Sequence, residues 1–173
     1  MTVALALVLV ASLLAAYTDI RTRRVPNMLV AALFLSGLAL NAYYGWHAIA
    51  ADFAIVAVVI AIGTVAFSLK LIGGGDVKLL AAAAGTLGYP LGGNFLLLTL
   101  VCGGIVAIAF SALRGRLGAT FSNVWSMALP VFAGAAPARP AAGLVMPYAV
   151  AIFTGALCTA LVNGLLPHLR IFP

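Results

Sequence analysis

The sequence predicts an all-α fold: a polytopic membrane helix bundle of about six transmembrane helices with its N-terminus outside. Three observations carry that prediction. Hydrophobic residues fill 65% of the 173 positions and charged residues only 7%, whereas a soluble domain carries about a quarter charged residues; mean hydropathy is +1.24. The apolar residues fall into runs close to the length that crosses a hydrocarbon core, about 20 residues. The basic residues gather in alternate connections between those runs. No repeat or linker divides the chain, so residues 1–173 read as a single integral membrane domain.

Residues 2–18 form the first span. Its positive charges follow the apolar run, the reverse of the order in a cleaved signal peptide, so it reads as a retained helix running into the cytoplasm. Arg21, Arg23 and Arg24 mark that side, and residues 28–46 return across the membrane. Asp52 opens the third span, 53–69, where a first-turn acid on the outer side complements the helix dipole. Lys70 and Gly73-Gly74-Gly75 make the next connection. Lys78 stands just inside the short fourth span, 77–89, from which its long stem can snorkel to the interface. Gly88-Tyr89-Pro90-Leu91-Gly92-Gly93 turns the chain into 91–113. Arg114, Arg116 and Arg139 precede the last span, 144–166, and Arg170 lies beyond it. Eight of the nine Lys and Arg residues thus fall in odd-to-even connections, which the positive-inside rule places in the cytoplasm. Residues 117–136, with Ser122, Asn123, Ser126, Pro130 and an interfacial Trp125, read as interfacial or re-entrant, a seventh span being the alternative.

The net charge of +6 excludes little by itself, but the sequence leaves no extramembrane domain to bind nucleic acid. In a membrane protein such an excess reports orientation and contact with anionic lipid headgroups. Cys102 and Cys158 lie in apolar runs without a CxxC pattern and read as small packing residues, with neither a disulfide nor a zinc site. His47 and His168 fall at outer-face ends, without the acidic or cysteine neighbours of a ligand set. No metal or organic cofactor is implied, and nothing in the sequence sets the oligomeric state.

The chain holds three acidic residues. Asp19 sits in Tyr17-Thr18-Asp19-Ile20-Arg21-Thr22-Arg23-Arg24-Val25-Pro26-Asn27, and Asp76 closes Gly73-Gly74-Gly75-Asp76-Val77-Lys78. One ends a helix entering the cytoplasm and the other begins a helix leaving it, so both lie at the same depth. Two carboxylates in one site cannot both ionise cheaply and share a proton. The ionised member then takes a proton from water while the protonated member donates to a carbonyl oxygen, which is acid–base peptide hydrolysis without a covalent intermediate. Which of them starts as the base stays open, because coupled groups titrate as a pair. The glycines clear side chains from the approach to Asp76, and non-helical backbone at membrane depth is tolerated where it lines a wet cavity. Each motif also has a plainer reading, the glycines as a tight turn and the acid as a helix cap. Lys78 and the three arginines either fix orientation or tune the neighbouring carboxylates.

Taken together, these segments resemble the type IV prepilin peptidases, GxGD-type intramembrane aspartyl proteases. The resemblance rests on Asp19 with its basic tail to Pro26-Asn27 and on Gly73-x-Gly75-Asp76-x-Lys78-Leu79, with Met146-Pro147-Tyr148 as a weaker third echo. It implies an Asp19/Asp76 catalytic dyad, with Gly73, Gly74, Gly75 and Lys78 binding substrate or supporting the dyad. It further implies a prepilin or pilin-like precursor cut at the basic leader, on the cytoplasmic face of the inner membrane. Larger members carry a CxxC-bearing insert and also N-methylate the new terminus. The first connection here has no cysteine, so methyl transfer is not supported and the chain is similar to the compact, peptidase-only Flp/Tad branch; an archaeal preflagellin role stays open. A basic rim repels a basic leader, so recognition falls to the dyad region, anionic lipid and the pilin's apolar helix. The rival reading is a small proton-coupled transporter or channel subunit. Against it, both acids lie at one face, and no repeated pair of broken helices marks transporter halves.

Overall fold

The computed structural model describes residues 2–69, 72–115, 117–118, 122 and 148–165. Among these the regular structure is all helical: α1 (Thr2–Thr22), α2 (Asn27–Ala42), α3 (Trp46–Ser68), α4 (Gly74–Leu87), α5 (Leu91–Leu113) and α6 (Tyr148–Leu165). Helices α1, α3 and α5 are long and apolar enough to cross a membrane, while α2 and α6 are shorter apolar helices. Leu117, Gly118 and Ser122 apart, the segment 117–136 lies outside the described residues, as do Lys70, Arg116, Arg139, Met146, Pro147, His168 and Arg170.

The helix ends follow from local chemistry. Helix α1 stops where Arg23 takes a left-handed conformation, φ 53°, and its N–H donates to the Asp19 carbonyl at 2.8 Å. That closure satisfies a carbonyl at the end of the helix. Pro26 then disfavours helical geometry at Val25 and caps α2 with an extended backbone. The second boundary differs from the expectation. Helix α2 ends at Ala42 and α3 already starts at Trp46, because Gly45 (φ 93°) supplies the break. Asp52 is therefore an interior residue of α3, and the expected first-turn acid is corrected: α3 has none.

Helix α4 forms the centre of the bundle. Its residues from Val77 to Leu87 are buried, apart from Lys78 and the half-buried Leu80, and it packs against each of the other five helices. A helix apolar on every side belongs inside, and four successive alanines, Ala81 to Ala84, let neighbours approach closely. Lipid tails are as apolar as leucine, so tight packing and interhelical hydrogen bonds hold such a bundle together, and small residues at the crossings permit both. Gly37 of α2 is the clearest case, since a Cβ there would collide with Thr86 of α4. The Thr86 hydroxyl donates across that crossing to the Leu33 carbonyl at 3.1 Å, a bond of about 0.6 kcal/mol and at most about 1.7 in a membrane interior. Gly155 of α6 meets Thr99 of α5 in the same manner. Near that crossing Cys102 and Cys158 lie with their sulfurs 3.3 Å apart as free thiols, packing α5 on α6.

The outer surface matches a lipid solvent. Large apolar side chains such as Val10, Tyr17, Ile62, Leu100 and Ile105 are more than half exposed, and only 11% of the apolar windows of α3 and α5 is buried within the bundle.

Candidate active site

Asp19 stands in the last turn of α1 and is only 8% exposed. Its Oδ2 accepts a hydrogen bond from the Ala149 N–H at 3.4 Å. Ala149 belongs to α6, and its N–H is given to this carboxylate.

Asp76 is the third residue of α4, after Gly74 and Gly75. Its carboxylate folds back to accept from the N–H of Gly73, the residue that caps the helix. This is the acidic half of a capping box, and it draws two glycines into the helix that sequence reasoning left in the loop. A Cβ on Gly73 would sit 2.7 Å from Asp76 Oδ2, so glycine makes the room for that return. The second oxygen, Oδ1, is buried and has no hydrogen-bond partner among the described residues. Gly75 packs toward Val25, where a Cβ would come 3.3 Å from the valine's own Cβ, which ties the start of α4 to the connection after α1.

The two carboxylates open onto one cavity of about 310 Å³. Gly73, Gly74 and Gly75 form part of its wall, and Arg23, Arg24 and Lys78 bring three cations to it. Arg21 points elsewhere, its guanidinium lying over the Tyr17 ring 5.2 Å from the centroid. Asp76 precedes the apolar stretch of α4. Burial, and secondarily the negative charge of Asp19, push its carboxyl from the ordinary 3.8 up to about 6, against the opposing bond from Gly73. The Ala149 N–H and the N-terminus of α4 thus face two acids, and one acid holds its proton into the mildly acidic range. Such a pair has the parts for general acid–base chemistry on a neutral substrate.

Asp52 does not line this cavity. It is 6% exposed, bonded through its side chain to Asn41 of α2, with Oδ2 buried and unpartnered among the described residues. The Asn41 amide also donates to the Gly85 and Thr86 carbonyls at the end of α4, at 3.3 and 3.4 Å. Sequence reasoning missed this buried cluster; its signal was an amide inside an apolar span. It also missed how the head of α6 serves the site. Tyr148, beside Ala149 in that helix, is half-buried.

Residues 6–108, which contain both Asp19 and Asp76, match the model of the type IV leader peptidase family. The chain belongs to that family. Among curated proteins it is similar to Prepilin peptidase EppA of Methanocaldococcus jannaschii, 40% identical over 81 residues. That match covers 45% of this chain and 22% of the relative, so the chain spans about a fifth of the protein it resembles. No solved structure matches the chain. For a leader peptidase family member, the short connection between α1 and α2, Arg23 to Pro26, brings Asp19 close to the groups that line the cavity without an inserted domain.

Proposed function

We propose that this protein is a membrane aspartic endopeptidase that removes the basic leader of prepilin-like precursors. The observation that carries the reading is the convergence of Asp19 and Asp76 on one cavity, each accepting from a backbone N–H. Asp19, close to the α6 amide, serves as the base and takes a proton from water. The water oxygen attacks the scissile carbonyl carbon while Asp76, the acid that keeps its proton up to about pH 6, donates to the carbonyl oxygen. The resulting gem-diol collapses as Asp19 passes its proton to the leaving amine and Asp76 recovers its own. The charge distribution supports an active site at the cytoplasmic face of the inner membrane. There Arg21, Arg23 and Arg24 meet anionic lipid, Gly73 to Gly75 admit an extended peptide backbone, and Lys78 stands at the cavity's edge. The four-residue first connection, which holds no cysteine, favours peptidase activity without methyl transfer.

The test is incubation of the purified protein in detergent with a prepilin precursor, followed by mass spectrometry. One cut after the basic leader is expected, with no methyl group on the new terminus when S-adenosylmethionine is supplied. An intact precursor, together with proton-driven uptake in vesicles, would replace the peptidase reading with the transporter one.

A further inference from the structure

The seam between α5 and α6 carries reactive groups that the acid pair does not use. Cys102 of α5 and Cys158 of α6 are 56 residues apart in sequence, yet their sulfurs lie 3.3 Å apart, and both are free thiols. The packing beside them explains the approach. Gly155 meets Thr99 so closely that a Cβ there would strike the threonine's backbone. Each cysteine follows its own member of that contact by three residues, which keeps it on the same helix face. Both thiols are half-buried, and Val101, Ile105, Leu157 and Leu161 around them are exposed on the surface that matches lipid. A reagent dissolved among the acyl chains therefore reaches the pair.

We propose that Cys102 and Cys158 are a redox modification site, closing to an intramolecular disulfide when an apolar hydroperoxide reaches them from the lipid. One thiol sulfur takes the terminal oxygen of the hydroperoxide. The O–O bond breaks, a sulfenic acid forms, and the remainder leaves as an alcohol that carries the thiol's proton. The second sulfur then attacks the sulfenic sulfur; the S–S bond forms, and the hydroxyl leaves as water with the second thiol's proton. Two electrons pass from the sulfurs to the peroxide, and no further reactant is needed. A disulfide of about 2.05 Å shortens the 3.3 Å separation by about 1.3 Å, a small fraction of one helical turn. The staple ties α5 to the helix whose Ala149 N–H holds Asp19. Its formation does not depend on the peptidase reading.

The experiment treats the reduced protein, in lipid nanodiscs, with cumene hydroperoxide and follows free thiols and intact mass. The two thiols of each chain are expected to disappear together, with a mass loss of about 2 Da. Digestion should yield a peptide pair joining 102 to 158, and dithiothreitol should restore both thiols. The cross-linked protein is expected to melt about 5 °C or more above the reduced one, because the bond closes a long loop. Hydrogen peroxide, which stays in the water, should react more slowly at equal concentration. Cys102→Ser and Cys158→Ser each leave one sulfur, expected to stop at an oxygen adduct about 16 Da heavier. Thiols that survive the treatment, oxygen adducts on the wild type without a cross-link, or a disulfide between two copies overturn the proposal. A melting temperature unmoved by the cross-link overturns its role as a staple, and hydrogen peroxide reacting as fast as the apolar reagent overturns the lipid route. These readings on the wild type decide the question even where a serine variant fails to insert.

Discussion

At the Gly73 end of α4 two carboxylates share an open cavity of about 310 Å³; near the Gly88 end a third, Asp52, is closed in against Asn41. All three are largely removed from solvent, and all three lie beside an end of the same central helix. What separates them is the end they face. Asp19 meets the Ala149 N–H of α6 and Asp76 the N–H groups at the start of α4, whose positive end favours a charge, and the two share an open cavity. Asp52 sits beside the carbonyl end of α4, where an amide from α2 stitches it to its neighbours. Burial alone therefore does not set the proposed dyad apart from Asp52; burial together with an opening and a second acid does.

The largest expected effect lies at the open end. Asp19→Asn and Asp76→Asn should each lower kcat at least about a thousandfold, while Asp52→Asn leaves cleavage per folded molecule within about threefold. Equal losses in all three, in proteins inserted to the same level, would erase the distinction between the ends. Next comes Gly73→Ala, whose added methyl meets Asp76 Oδ2 and displaces the carboxyl. A misplacement of about 1 Å costs on the order of a hundredfold, so kcat should drop by that order while the melting temperature barely moves. At the closed end the signs reverse. Asn41→Ala strips Asp52 of its donor and should cost about 1–3 kcal/mol of stability, read by thermal unfolding in detergent, with catalysis in the surviving folded fraction intact.

The smallest effect is a pH signature. The folded protein holds the Asp76 proton more tightly than the unfolded chain, about 6 against 3.8, so stability falls as pH rises between those values and stays lower above them. Asp76→Asn should thus be inactive and yet more heat-stable than the wild type at pH 7, with the difference closing toward pH 4. The same titration predicts that wild-type kcat/KM declines above about pH 6 as Asp76 loses its proton.

Much of this was legible in the chain because lipid imposes a simple demand, about 20 apolar residues per crossing, and because acids are so scarce. The six helices, the central fold-back at Gly73 and the meeting of Asp19 with Asp76 follow from that spacing and from the alternation of basic connections. Asp52 was misread for a physical reason. A helix-start rule places an acid in the first turn, but Gly45 opens α3 at Trp46, and the partner that explains Asp52 stands on another helix. Long-range pairs of that kind leave no local pattern. The contact of Ala149 with Asp19 was hidden for the same reason, since a backbone N–H is offered by every non-proline residue and only the packing of α6 selects this one.

The brevity of α4 has its own consequence. Its 14 residues measure about 21 Å at 1.5 Å each, against a hydrocarbon layer of about 30 Å. Surrounded by longer neighbours, it falls short of that layer by roughly 9 Å, and because it lies at the centre of the bundle the shortfall is lined by protein, where the cavity beside Asp76 opens.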